Sequence, residues 1–96
     1  MLELIFKPGL MRGKRIMVTG GATGIGRSLA DAYAQLGATV YLVSRRGVVL
    51  QEAARQIASA TGSDVRWRAC DVRDAQAVDA LLDDIWADGG ALTGLV

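Results

Sequence analysis

The stretch Arg15-Ile-Met-Val-Thr-Gly-Gly-Ala-Thr-Gly-Ile-Gly26 decides how the chain is read. Ile16, Met17 and Val18 form a short apolar run of strand length, and Gly20-Gly21 ends it. Beyond the glycines the period changes. Leu29, Ala32, Tyr33 and Leu36 lie 4, 7, 8 and 11 residues after Ile25, which traces one stripe of a helix. Gly37 stands where such a helix stops. A strand is thus predicted to run through a glycine turn directly into a helix.

Working outward, the same alternation repeats. Thr39-Val-Tyr-Leu-Val-Ser44 is β-rich, and Val49, Leu50, Ala53, Ala54, Ile57 and Ala58 give a second helical stripe closed by Thr61-Gly62-Ser63. Asp64-Val-Arg-Trp-Arg-Ala-Cys70 alternates like a strand, with Arg66 and Arg68 on one face and Val65, Trp67 and Ala69 on the other. Charge at alternate positions suits a partly wet sheet edge. Asp74 is a candidate N-cap for a third helix with the stripe Val78, Leu81, Leu82, Ile85 and Trp86. Gly89-Gly90 ends that helix, and Leu92-Thr-Gly-Leu-Val96 begins a fourth strand. The order β-α-β-α-β-α-β implies parallel strands, right-handed crossovers and a sheet covered on both faces. The predicted fold class is α/β: a Rossmann-like doubly wound parallel sheet, of which the first half is present. Because Val96 falls within a strand whose flank would be an uncovered apolar edge, residues 1–96 are expected to be the N-terminal part of a single dinucleotide-binding domain in a longer protein.

Composition narrows the function. Among 96 residues there are 11 basic and 10 acidic ones, a net charge of +1, which argues against nucleic-acid and anionic-membrane partners. Histidine is absent, so the chain holds no Ser-His-Asp or Cys-His system and no histidine-ligated metal. The single cysteine, Cys70, excludes an internal disulfide and a multi-cysteine zinc site, and is expected to be a small buried apolar residue. No apolar run approaches the ~20 residues that span a bilayer. The segment Met1–Leu10 carries Glu3 and Lys7 and has no signal-peptide pattern, so it is expected to be a surface lead-in, and the setting is expected to be cytoplasmic.

Thr19-Gly-Gly-Ala-Thr-Gly-Ile-Gly26 carries the chemistry. A tight strand-to-helix turn needs backbone angles that glycine tolerates, and a missing side chain lets a pyrophosphate approach the backbone. The helix N-terminus then offers unpaired N–H groups and a partial positive charge. The simpler alternative is a glycine turn that serves only close helix–strand packing. A P-loop reading of Gly21 to Ser28 also overlaps, but Arg27 stands where the phosphate-reaching lysine is needed. The second strand then separates the dinucleotides. NAD-binding folds place an acid about 20 residues after the glycines, to hold the ribose 2′-hydroxyl. Here that place holds Ser44-Arg45-Arg46, a hydroxyl and two guanidinium groups suited to a 2′-phosphate, so NADP(H) is favoured over NAD(H). Solvated loop charges are the alternative reading of the two arginines.

These residues resemble the short-chain dehydrogenase/reductase family. Thr19-Gly20-x-x-x-Gly24-Ile25-Gly26 is similar to its glycine motif, Asp71-Val72 to its adenine-contacting Asp-Val pair, and Leu92-Thr-Gly-Leu-Val96 to the strand that precedes its Asn-Asn-Ala-Gly segment. The resemblance covers the chain from about Leu10 onward, and Phe6-Lys-Pro-Gly-Leu10 is similar to the lead-in of enoyl- and dienoyl-CoA reductase-like members. It implies that Gly20, Thr23, Gly24, Ile25 and Gly26 line the cofactor phosphates and ribose, and that Ser44, Arg45 and Arg46 meet the 2′-phosphate. It implies further that Asp71 accepts from the adenine amino group while the Val72 N–H donates to the ring. Thr23 could instead make only a local turn bond, and Asp71 could only cap its loop. The family's catalysis resembles hydride transfer aided by Tyr-x-x-x-Lys with a serine and an asparagine. Tyr33 is followed four residues on by Gly37, Tyr41 by Arg45, and the only lysines, Lys7 and Lys14, precede both. No catalytic residue is therefore expected in this chain, and packing accounts for both tyrosines. Two readings follow. One is an NADP(H)-dependent oxidoreductase acting on a small carbonyl, alcohol or enoyl substrate, a homo-oligomer at full length, of which this is the dinucleotide-binding half. The other is a non-catalytic nucleotide-binding fragment or regulatory module.

Overall fold

The computed structural model describes residues 10–20, 24–90 and 92–95. Strand β1 (Arg15–Thr19) leads to helix α1 (Gly24–Gln35), β2 (Thr39–Ser44), α2 (Gly47–Thr61), β3 (Val65–Ala69), α3 (Ala75–Gly89) and a short β4 (Gly94–Leu95). The four strands form one sheet in the order β3-β2-β1-β4, with every pair parallel. Sequence order thus runs outward from β1 to β3 on one side and resumes at β4 on the other. The gap between β1 and β4 is the point where the direction of winding reverses.

Strand β2 is buried along its length because apolar residues face both layers. On one face Ile16, Val18, Val40 and Leu42 pack against Ala30 and Ala34 of α1 and Leu50, Ala53, Ala54 and Ile57 of α2. On the other, Met17, Tyr41 and Val43 pack with Cys70 against Leu81 and Ile85 of α3. Leu50 and Ile57 are almost wholly enclosed, so trimming either to alanine costs about 2–5 kcal/mol.

Two of the expected stripes meet the core in part. In α1 the sheet is met by Ala30 and Ala34, while Ile25 is 80% exposed. Tyr33 packs against the same cluster and Leu36, just past the helix, is buried, as the stripe places them. In α3, Leu81 and Ile85 point inward as expected, whereas Leu82 and Trp86 are exposed. The α2 stripe lies where the periodicity places it.

The helix ends are chemically explicit. Asp74 accepts from the backbone N–H groups of Gln76 (3.0 Å) and Ala77 (3.3 Å), the N-cap predicted from sequence. Gly62 closes α2 at φ +74°, donating its N–H to the Ala58 carbonyl at 2.8 Å. Helix α3 has no basic residue in its last turn; that charge comes from Arg15, whose guanidinium donates to the carbonyl of Ile85 at 2.8 Å and to that of Gly90. A side chain at Gly89 would meet this guanidinium at 3.0 Å.

Strand β3 alternates as read. Val65 and Trp67 join the α1/α2 layer. Arg66 and Arg68 lie on the α3 side, where Arg66 pairs with Asp64 (3.0 Å) and Asp88, and Arg68 pairs with Asp84 (2.6 Å). The Tyr41 hydroxyl, inside the second core, donates to Asp88 at 2.8 Å and accepts from Arg15. The edge charges are therefore neutralised by the protein itself. No helix among the described residues is long and apolar enough to cross a membrane.

Candidate functional site

An open cleft of about 280 Å³ lies at the C-terminal ends of the first three strands. Thr19 and Gly20 line it from the end of β1, Val43 to Arg45 from the end of β2, and Cys70 to Arg73 from the loop after β3. Parallel pairing brings these three segments together. Past the strands it continues as Gly20 N–H donating to the Val43 carbonyl and Cys70 N–H to the Ser44 carbonyl, both at 2.7 Å. Cys70 is buried, as expected of a small apolar residue.

The glycine turn shows why glycine is required. Gly20 has φ +67° and Gly24 φ +60°, left-handed angles that a side chain disfavours. Among the described residues space is not the constraint, because a Cβ at either position meets none of their atoms within 4 Å. An open approach above a left-handed backbone is the geometry an anion needs to reach main-chain N–H groups. Gly24, Ile25 and Gly26 form the first turn of α1, with Ile25 exposed and Gly26 half-buried. Thr23, with Gly21 and Ala22, lies outside the described residues.

At the end of β2 the three expected residues take different roles. The Ser44 hydroxyl accepts from the Arg46 N–H at 3.2 Å, which folds the loop before α2. Arg46 occupies the N-cap position of α2 and caps it with no side-chain bond. It is exposed and is not in the cleft wall, whereas Arg45 is. Neither arginine forms an ion pair among the described residues. Gly47 begins α2 against the Trp67 ring, where a Cβ would stand 3.2 Å from a ring carbon.

Asp71 is held by its own loop. Its Oδ1 accepts from the Arg73 backbone N–H (3.0 Å) and Nε (3.1 Å), and its Oδ2 accepts from Arg73 Nη2 (3.1 Å). The Arg73 bonds, with a smaller contribution from the charge of Arg45, hold the carboxyl down to about 2. Val72 is half-exposed beside it, and its N–H makes no hydrogen bond among the described residues. Thr19, Val43, Cys70 and Arg73 line the cleft without having been read as site residues, and Arg73 is the charged one among them. The Asp-x-Arg spacing was a usable signal, since a carboxylate often accepts from the N–H two residues on.

A sequence profile of the family described as short chain dehydrogenase matches residues 14–96. The chain belongs to that family. A probable 2,4-dienoyl-CoA reductase of Caenorhabditis elegans is 37% identical over 81 residues, which are 84% of this chain and 26% of that protein. D-threitol dehydrogenase of Mycolicibacterium smegmatis is 39% identical over 84 residues, 88% of this chain and 32% of the relative. Among solved structures, a citronellol catabolism dehydrogenase of Pseudomonas aeruginosa superposes with a TM-score of 0.91 at 45% identity, covering 95% of this chain and 38% of that one. L-sorbose reductase of Gluconobacter frateurii, solved with NADPH and L-sorbose, superposes with a TM-score of 0.86 at 33% identity over 94% of this chain and 34% of its own. The chain thus spans between about a quarter and two fifths of the length of these family members.

Proposed function

We propose that this chain forms the adenosine-binding half of an NADP(H)-dependent oxidoreductase, and that the parent protein acts on a small carbonyl, alcohol or enoyl substrate. One observation carries the cofactor choice. Arg45 stands in the cleft wall at the end of β2, without an ion pair among the described residues and close enough to Asp71 for its charge to act on that carboxylate. A guanidinium there binds a dianionic 2′-phosphate through charge-assisted bonds and a neutral ribose hydroxyl only weakly.

The residues fit the group. The left-handed backbone at Gly20 and Gly24 and the first turn of α1, with Thr23, would receive the pyrophosphate and ribose. Arg45, aided by Arg46 and by the loop that Ser44 folds, would hold the 2′-phosphate. Asp71 would accept from the adenine amino group, and the Val72 N–H would donate to the ring. When bound, the cofactor supplies hydride transfer. The part of this chain is to orient the adenosine end and so fix the reach of the nicotinamide end. Relatives that reduce dienoyl-CoA or sorbose, or dehydrogenate threitol, support a small-molecule substrate. A homo-oligomer in the cytoplasm belongs to the same reading.

The test is binding of NADPH and NADH to the full natural chain. NADPH is expected to bind at least tenfold tighter, about 1.4 kcal/mol, and Arg45→Gln to close most of that gap. Equal affinities in the unsubstituted protein would overturn the proposal.

A further inference from the structure

We infer that Arg73 is a positioning residue that orients the Asp71 carboxylate toward the base of the bound nucleotide, and thereby favours a 6-amino purine over a 6-oxo purine. The inference rests on the proposed dinucleotide site and deepens it.

The argument is one of acceptor capacity. An ionised carboxylate offers about four acceptor directions, two on each oxygen. Arg73 fills both on Oδ1, through its backbone N–H and Nε, and one on Oδ2, through Nη2. One direction remains, on Oδ2. Three bonds from a single residue also fix the plane of the carboxylate, because the fork of the guanidinium and the main-chain N–H cannot rotate together. Stability is a poor explanation for the pair. Arg73 is largely exposed, its side chain at 73%, and exposed ion pairs contribute little to folding. The pair instead sits on the wall of the cleft, with Val72 between its members. A fixed acceptor with one open direction suits one N–H donor, such as an exocyclic amino group. It repels a carbonyl oxygen in the same place.

The test compares NADP⁺ with its hypoxanthine analogue on the full natural chain. The proteins are unsubstituted, Arg73→Gln, Arg73→Lys, Asp71→Asn and the double variant Asp71→Asn/Arg73→Gln. The unsubstituted chain is expected to prefer NADP⁺ about tenfold. Arg73→Gln should lower NADP⁺ affinity fivefold to tenfold and shrink that preference, and Arg73→Lys should restore part of both. On the Asp71→Asn background Arg73→Gln should change affinity less than twofold, since the group it positions is gone. Equal losses from Arg73→Gln on both backgrounds would mean that Arg73 touches the nucleotide directly, and would overturn the positioning role. Unchanged affinity and base preference in Arg73→Gln would overturn it too. Failure of the unsubstituted chain to bind NADP⁺ would remove the proposed function and this inference together.

Discussion

On the α3 side of the sheet, Arg15, Arg66 and Arg68 are each engaged by protein oxygens: helix carbonyls and the Tyr41 hydroxyl for the first, aspartates for the other two. At the C-terminal edge, Arg45 and Arg46 meet no carboxylate among the described residues, and Arg73 meets one that belongs to the cleft. The same residue type therefore serves two ends. Where aspartates and carbonyls of neighbouring elements converge, arginine ties α3 to the edge strand. Where the loops diverge past the strand ends, arginine is left facing solvent with its charge available to a ligand. Position relative to the strand direction separates the two roles, because in a parallel sheet all the loops that follow strands open on one edge.

That contrast can be broken by experiment. The largest effect is expected at the glycine turn. Gly24→Val forces a β-branched residue to φ +60°, a strain of about 1–2 kcal/mol, and places a side chain where the phosphate would approach. Dinucleotide affinity measured by calorimetry should fall more than a hundredfold, while the far-ultraviolet circular dichroism spectrum of the fold persists. Retained binding would show that no ligand phosphate nears this backbone.

A smaller and opposite effect is expected on the α3 side. Tyr41→Phe removes a buried hydroxyl that bridges Arg15 and Asp88, at a cost of about 1 kcal/mol in urea unfolding. NADP⁺ affinity should not change. A tenfold loss of affinity would mean that the two regions are coupled after all.

The smallest effect concerns pH. The hydrogen bond from Tyr41, then that from Arg66, holds the Asp88 carboxyl below its ordinary value of 3.8. The folded state therefore releases the proton more readily than the unfolded one. The resulting stabilisation is present above pH 3.8 and is lost as pH falls through the lower folded value. Asp88→Asn should flatten that acid limb in denaturant titrations. An unchanged limb would show that other carboxylates set it.

Much of this was legible because the relevant physics is local. The left-handed backbone at Gly20 and Gly24, the cap at Asp74 and the stop at Gly62 are choices made within a few residues, and each residue type announces its backbone conformation. The α2 stripe was legible because its apolar residues, Leu50, Ala53, Ala54 and Ile57, all fall on the buried face. The α1 and α3 stripes were legible in part, because apolar type and burial disagree at their margins: Ala30 and Ala34 lie inward while Ile25, Leu82 and Trp86 stand in solvent. Hydrophobicity ranks side chains by transfer energy, but which apolar residues of a stripe are enclosed depends on the elements packed against it. Arg73 was missed for a related reason. An exposed arginine beside an aspartate reads as a surface pair until its three bonds and its place on the cleft wall are seen together.

The amino-acid sequence by itself determined the alternation of strands and helices, the glycine turn and the basic residues that follow the second strand, because period, backbone freedom and charge are properties of neighbours in the chain. Tertiary structure alone decided that Arg15 would cap a helix 70 residues away and that its guanidinium would lie against Gly89. It also decided that Arg45 and Asp71 would share a cleft while Arg66 and Arg68 would be neutralised. Those outcomes depend on the strand order β3-β2-β1-β4, which places distant segments side by side and determines whether a charge meets a partner or open water.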